Sequence, residues 1–172
     1  MHAIRGVIVS AIAAVLCAAA TPAQEKQVTA TLVKYDGLKQ EILKQRGKVV
    51  VVDFWATFCP PCMKAFPKFI EMQKEHAARG LVVISVAMDD SKDEDAVKRA
   101  NKFLTRQDSP LRNLLLDEPS TIWKEKFGIT SLPCYFIFDR QGKWVRFRAE
   151  DSETGVNYDE LKKVVVQMLN EK

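Results

Sequence analysis

The sequence predicts one α/β domain, a central mixed sheet with helices on both faces. Three observations predict it. Residues 48–54 and 81–87 are runs of mostly apolar, largely β-branched side chains, interrupted only by Lys48, Asp53 and Ser85, the pattern of strands buried on both faces. Between them, residues 60–78 carry Ala65, Phe66, Phe69, Ile70 and Gln73 at helical spacing, with Gly80 just past the end. Strand, helix and strand in that order make a parallel, right-handed βαβ unit. Third, the run from Cys134 to Phe138 is followed by Asp139-Arg140-Gln141-Gly142 and then by residues 143–148, an antiparallel hairpin.

The remaining elements follow in chain order. Residues 24–35 form an exposed lead-in with a short edge strand through Val28, Ala30 and Leu32. Asp36 is placed to N-cap a short helix carrying Leu38, Ile42 and Leu43, stopped at Gly47. Residues 93–106 form an amphipathic helix with Ala96, Val97, Ala100, Phe103 and Leu104 in one stripe. Residues 114–116 read as a strand. Pro119 opens a small helix with Ile122, Trp123 and Phe127, closed at Gly128. The last helix covers residues 158–170, with Leu161, Val164, Val165, Met168 and Leu169 inward. Trp123 and Trp144 are expected in the core.

Composition narrows the function. The chain has 172 residues, 47% hydrophobic and 28% charged, which excludes a disordered or fibrous protein. A net charge of +4 from 26 basic and 22 acidic residues of mixed order does not give the basic footprint of a nucleic-acid binder. Four cysteines are too few for a disulfide-stapled miniature fold. Residues 1–23 read as a cleaved signal peptide. Arg5 supplies its positive end, Val7 to Ala20 is apolar except for Ser10, and small residues precede Gln24. That run reaches only about 21 Å as a helix, short of a ~30 Å bilayer core, so an uncleaved N-terminal membrane anchor is the lesser alternative. Leu16 directly before Cys17 does not suit a lipidation signal. The expected product is a periplasmic or otherwise extracytoplasmic domain over 24–172, retaining Cys59, Cys62 and Cys134 in a compartment where thiols can be oxidised.

The chemistry sits in Trp55-Ala56-Thr57-Phe58-Cys59-Pro60-Pro61-Cys62. A lone CxxC is half a zinc site, a chance pair or a redox couple. Tetrahedral zinc needs further ligands, and only Cys134 and a poorly placed His76 remain, so no metal is expected. The redox reading has a mechanism. Cys59 lies between a buried strand and a helix N-terminus, where free amides and the helix dipole favour an anion and lower a thiol pKa. Two prolines suit the first helical turn. Cys62, one turn along, can close a disulfide with Cys59 and is the resolving thiol. Asp53, set among valines, has a carboxyl raised by desolvation and able to exchange a proton near neutral pH.

The run Val51-Val52-Asp53-Phe54-Trp55-Ala56, Phe58, Cys59, Pro61, Cys62 resembles the active-site signature of the thioredoxin superfamily. Pro67 matches that family's helix proline, Leu132-Pro133 its cis-proline, and Asp53 its buried proton-shuttling carboxylate. The resemblance implies a thioredoxin-like three-layer fold. With the signal peptide and an inserted helix and strand over about 92–116, the chain is similar to TlpA/ResA-like exported thiol–disulfide oxidoreductases. It implies a Cys59–Cys62 dithiol/disulfide that reduces oxidised protein clients and is itself re-reduced by a membrane thiol electron donor. No cofactor and no nucleic acid are implied, and a monomer is expected. Client contacts are assigned to Pro133 and Leu132, through β-like pairing with the Leu132 backbone, and to Trp55, Phe58, Pro60 and Pro61. Two positions depart from the pattern: Ala65 stands where many members have Glu, and Cys134 where Thr is common. Three alternatives stay open. A peroxiredoxin-like peroxidase expects Thr where Ala56 stands. A copper-delivery module expects a Cys pair one residue wider and a distant His. A non-catalytic binding domain would have no need of the intact pair.

Overall fold

A computed structural model of the protein describes residues 26–151 and 155–171. The expected signal peptide and Cys17 lie outside the described residues. The elements run β1 (Thr31–Val33), α1 (Tyr35–Leu43), β2 (Val49–Trp55), α2 (Pro60–His76), β3 (Leu81–Ala87), α3 (Glu94–Arg106), β4 (Arg112–Leu116), α4 (Ser120–Ile122), β5 (Cys134–Phe138), β6 (Trp144–Arg148) and α5 (Tyr158–Asn170). They build one six-stranded sheet in the order β1-β4-β3-β2-β5-β6. The β1–β4, β4–β3 and β3–β2 pairs are parallel, whereas β2–β5 and β5–β6 are antiparallel. Helix α3 and strand β4, expected as an added unit, give the sheet a strand between β1 and β3.

All seven residues of β2 are buried, as its valine run requires. Alternation along the strand sends Val49, Val51, Asp53 and Trp55 to one face and Val50, Val52 and Phe54 to the other. Helices α2, α3 and α5 cover the first face. There Trp55 packs on Phe66 and Phe103, and Phe69 packs on Tyr135 and Tyr158. Helix α1 and a π-helical turn, Trp123–Phe127, cover the second, where Phe127 lies against Tyr35 and Phe54. The helices end where local chemistry dictates. Asp93 caps α3 and Asn157 caps α5, each side chain accepting from two first-turn amides. Helix α2 gives way to a 3₁₀ turn closed by Gly80 at φ 89°, a left-handed conformation suited to glycine.

Two local expectations are corrected. Asp36 is not the cap of α1, because the chain turns straight from β1 into the helix and Lys34 takes the N-cap position without a side-chain bond. The orphan amide of Tyr35 instead donates to Glu118 Oε1 at 3.0 Å, a cap supplied from 83 residues away. Gln73, at the helical spacing expected, ties α2 to β3: its Nε2 donates to the Leu81 carbonyl and its Oε1 accepts from Val83 N–H. Trp144 is 54% exposed rather than core, because β6 is an edge strand where it packs on Phe136 and pairs across the strand with Phe138.

Candidate active site

The site forms where β2 ends and α2 begins. In parallel sheets, the carboxyl ends of strands face a crevice in which loops gather. Met88 N–H donates to the Trp55 carbonyl at 2.7 Å, and Cys59 N–H donates to the Ala56 carbonyl at 3.1 Å, turning the chain into the helix. Cys59 is the N-cap of α2, with Pro60 and Pro61 in the first turn. Neither proline has an N–H. The first amide of the helix is therefore that of Cys62, and it donates to Cys59 Sγ at 3.3 Å. Cys59 and Cys62 are joined in a disulfide with Cα atoms 5.3 Å apart.

The two sulfurs are not equivalent. Cys59 keeps 7% exposure and Cys62 only 1%. Cys59 is flanked by Phe58, which is 67% exposed, and by exposed Pro60 and Pro61. The outer cysteine thus carries the amide-donor contact and an apolar, solvent-facing collar. The inner one is sealed by the core.

Asp53 lies on the α2-covered face of β2, opposite Ser85 on β3 and Tyr135 on β5. It is 1% exposed, and neither carboxylate oxygen has a hydrogen-bond partner. Ser85 Oγ accepts from Trp55 Nε1 at 2.8 Å and makes no hydrogen bond to Asp53. Burial alone pushes the Asp53 carboxyl up from 3.8 to about 8. The same burial, with the Asp53 charge beside it, drives the Tyr135 hydroxyl upward too. At neutral pH Asp53 is a mostly protonated acid close to its titration midpoint.

The Leu132–Pro133 peptide is cis, as the motif implied. The register sets Cys134 opposite Phe54, so Pro133 falls level with Trp55 at the carboxyl end of β2, the end from which Cys59 is reached. The Pro133 carbonyl accepts from Ala149 N–H at 3.1 Å. Before it, Thr130 and Ser131 both donate to the Glu150 carboxylate, which also pairs with Arg148 at 3.0 Å. Leu132 is half-buried and Pro133 buried. Cys134 is a free thiol with no exposure, and burial pushes it up to about 12.

Trp55 was expected to touch a client. It has no exposure and packs beneath the site on Phe66 and Phe103, so it supports the loop from within. Sequence reasoning also missed Asp89. This buried carboxylate, at the carboxyl end of β3, accepts from Thr57 N–H at 3.0 and 3.2 Å and from the Thr57 hydroxyl. It anchors the loop two residues before Cys59. The available signal was a charged residue two positions after an almost wholly buried strand that neighbours β2.

This fold and pair have matches among known proteins. A family model described as Redoxin matches residues 19–165. The chain belongs to the Redoxin family, within the thioredoxin superfamily. Among similar proteins, thiol-disulfide oxidoreductase ResA of Bacillus thuringiensis subsp. konkukian is 30% identical over 111 residues, covering 64% of this redoxin and 60% of the relative. Thioredoxin-like protein YneN of Bacillus subtilis is 29% identical over 106 residues, covering 62% and 59%. The match thus spans about three fifths of the curated relatives' length. A solved structure from Chlorobium tepidum, described as a thiol:disulfide interchange protein DsbE, superposes with a TM-score of 0.54 at 30% identity, covering 75% of this chain and 85% of that one.

Proposed function

We propose that this redoxin is an exported thiol–disulfide oxidoreductase that reduces disulfides of protein clients with the Cys59–Cys62 pair. One observation carries the reading: the more exposed sulfur sits at a helix N-terminus while its partner and an unpartnered acid lie buried behind it. In the reduced protein, Cys59 thiolate is stabilised by the Cys62 amide and by the positive end of α2. It attacks one sulfur of a client disulfide, forming a mixed disulfide and releasing the other client sulfur as a thiolate. Cys62 then gives up its proton, with Asp53 carboxylate as acceptor, and attacks Cys59 Sγ. The Cys59–client bond breaks and the second client sulfur leaves, taking a proton. Two electrons have passed to the client, and the pair is a disulfide again. A thiol donor at the membrane restores the dithiol.

The exposed Phe58, Pro60 and Pro61 and the half-buried Leu132 favour extended, apolar client segments. The resemblance to ResA and DsbE and the apolar leader of the sequence support work outside the cytoplasm. Among the described residues no helix is long and apolar enough to cross a membrane. Equilibration with glutathione tests the direction. A reduction potential well below roughly −180 mV supports a reductase, and one well above it overturns the reading in favour of an oxidant.

A further inference from the structure

On the sheet face opposite α2, a cavity of about 420 Å³ opens between α1 and the β2–β5–β6 strands. Its wall is apolar, formed by Ile42, Leu43, Phe127, Phe136, Phe138 and Trp144 among others. Leu43 and Trp144 are 45% and 54% exposed at its edge. Apolar surface of this kind, left open to water beside a formed hollow, marks a binding site. The charges around it share one sign. Lys39, Arg46, Lys48 and Lys126 line the cavity, against one carboxylate, Asp139. Asp139 Oδ1 is already engaged by the Gln141 and Lys143 amides. Among the described residues, none of the four cations forms a salt bridge, and Lys48 reaches only the Gln45 amide oxygen.

We infer that this cavity binds a single-chain alkyl carboxylate, its tail against Phe136, Phe138 and Trp144 and its headgroup among Lys39, Arg46 and Lys126. The volume lies near the lower end of the ~300–1,000 Å³ usual for small-molecule sites, enough for one tail and too little for a two-tailed phospholipid. The basic rim disfavours a second copy of the same surface, since like charges would meet. The site lies across the sheet from α2, whose N-terminus carries Cys59.

The test uses the full oxidised chain with decanoate below its micelle concentration, followed by calorimetry and tryptophan fluorescence. Trp55 is fully buried and Trp123 half-buried, so the emission change should come from Trp144. Saturable binding of one decanoate per chain, weakened by added salt, is expected. Decyltrimethylammonium, of matching tail and opposite charge, should bind at least about tenfold more weakly. Lys39→Glu combined with Lys126→Glu should lower decanoate affinity about tenfold. Both side chains are exposed, so this variant should keep the parent melting temperature; Arg46→Glu provides a second if it does not. Trp144→Phe should abolish the emission change while the binding heat remains. Equal binding of the two amphiphiles, unchanged affinity in the charge-reversed variants, or absence of saturation overturns the inference. So does sedimentation with phosphatidylglycerol vesicles in the absence of any decanoate binding, which would mark a membrane-surface patch instead.

Discussion

Replacing Asp53 by Asn should convert a pH-dependent weakness of the fold into a pH-independent one. The folded carboxyl titrates near 8 and the unfolded one near 3.8. Between those values the folded chain holds a proton that the unfolded chain has lost. Unfolding therefore releases a proton, and stability falls as pH rises through this window, levelling off above the folded midpoint. A span of about 4 on the pH scale corresponds to at most about 6 kcal/mol, at roughly 1.4 kcal/mol per unit. Asn removes the titration but adds buried amide donors without partners, a penalty of ~1–3 kcal/mol. The variant should thus be slightly less stable than the parent near about pH 5 and more stable near about pH 8, a relative swing of about 4 kcal/mol. Urea unfolding of the oxidised chains across this range measures it, with the disulfide intact so that Cys62 does not titrate. A parent–variant difference that stays constant with pH would refute the claim that Asp53 is buried without compensation. The same variant should slow resolution of the mixed disulfide by about 100-fold or more if the carboxylate accepts the Cys62 proton.

Three further outcomes are expected. Cys62→Ala should accumulate mixed disulfides through Cys59, seen as client-linked Cys59 peptides by mass spectrometry; a variant that recovers no such adducts contradicts the assignment of Cys62 as the resolving thiol. Asp89→Ala removes the three contacts to Thr57 and should destabilise the oxidised chain by about 2–3 kcal/mol, with faster hydrogen exchange at the Thr57 amide. Unaltered exchange there would show that the carboxylate does not anchor the loop. Cys134, fully buried and pushed up to about 12, should resist alkylation in the native chain and react only after unfolding, as read from its own peptide.

The strands and most helices of this redoxin were legible in its sequence because their signals are local. The valine run of β2 has no polar break before Asp53, and α5 begins one residue after Asn157 and spans Tyr158–Asn170, as its periodicity indicates. The cysteine pair was legible for the same reason, since strand end, prolines and helix start fall within eight residues. What the sequence left open depends on neighbours distant in the chain. Trp55 and Trp144 look alike as residues, yet one fills the space between Phe66 and Phe103 while the other stands half-exposed on the edge strand β6. Glu118 supplies the cap expected of Asp36, and Asp89 reaches Thr57 from another strand. Asp53 could be read as a buried acid, but that both its oxygens go unpaired is decided only by which groups the packed sheet brings beside it. Periodicity and caps set which segments become strand or helix, because those preferences act within a few residues. Exposure, partner choice and the shape of a cavity are set by which surfaces meet, and only the packed sheet determines that.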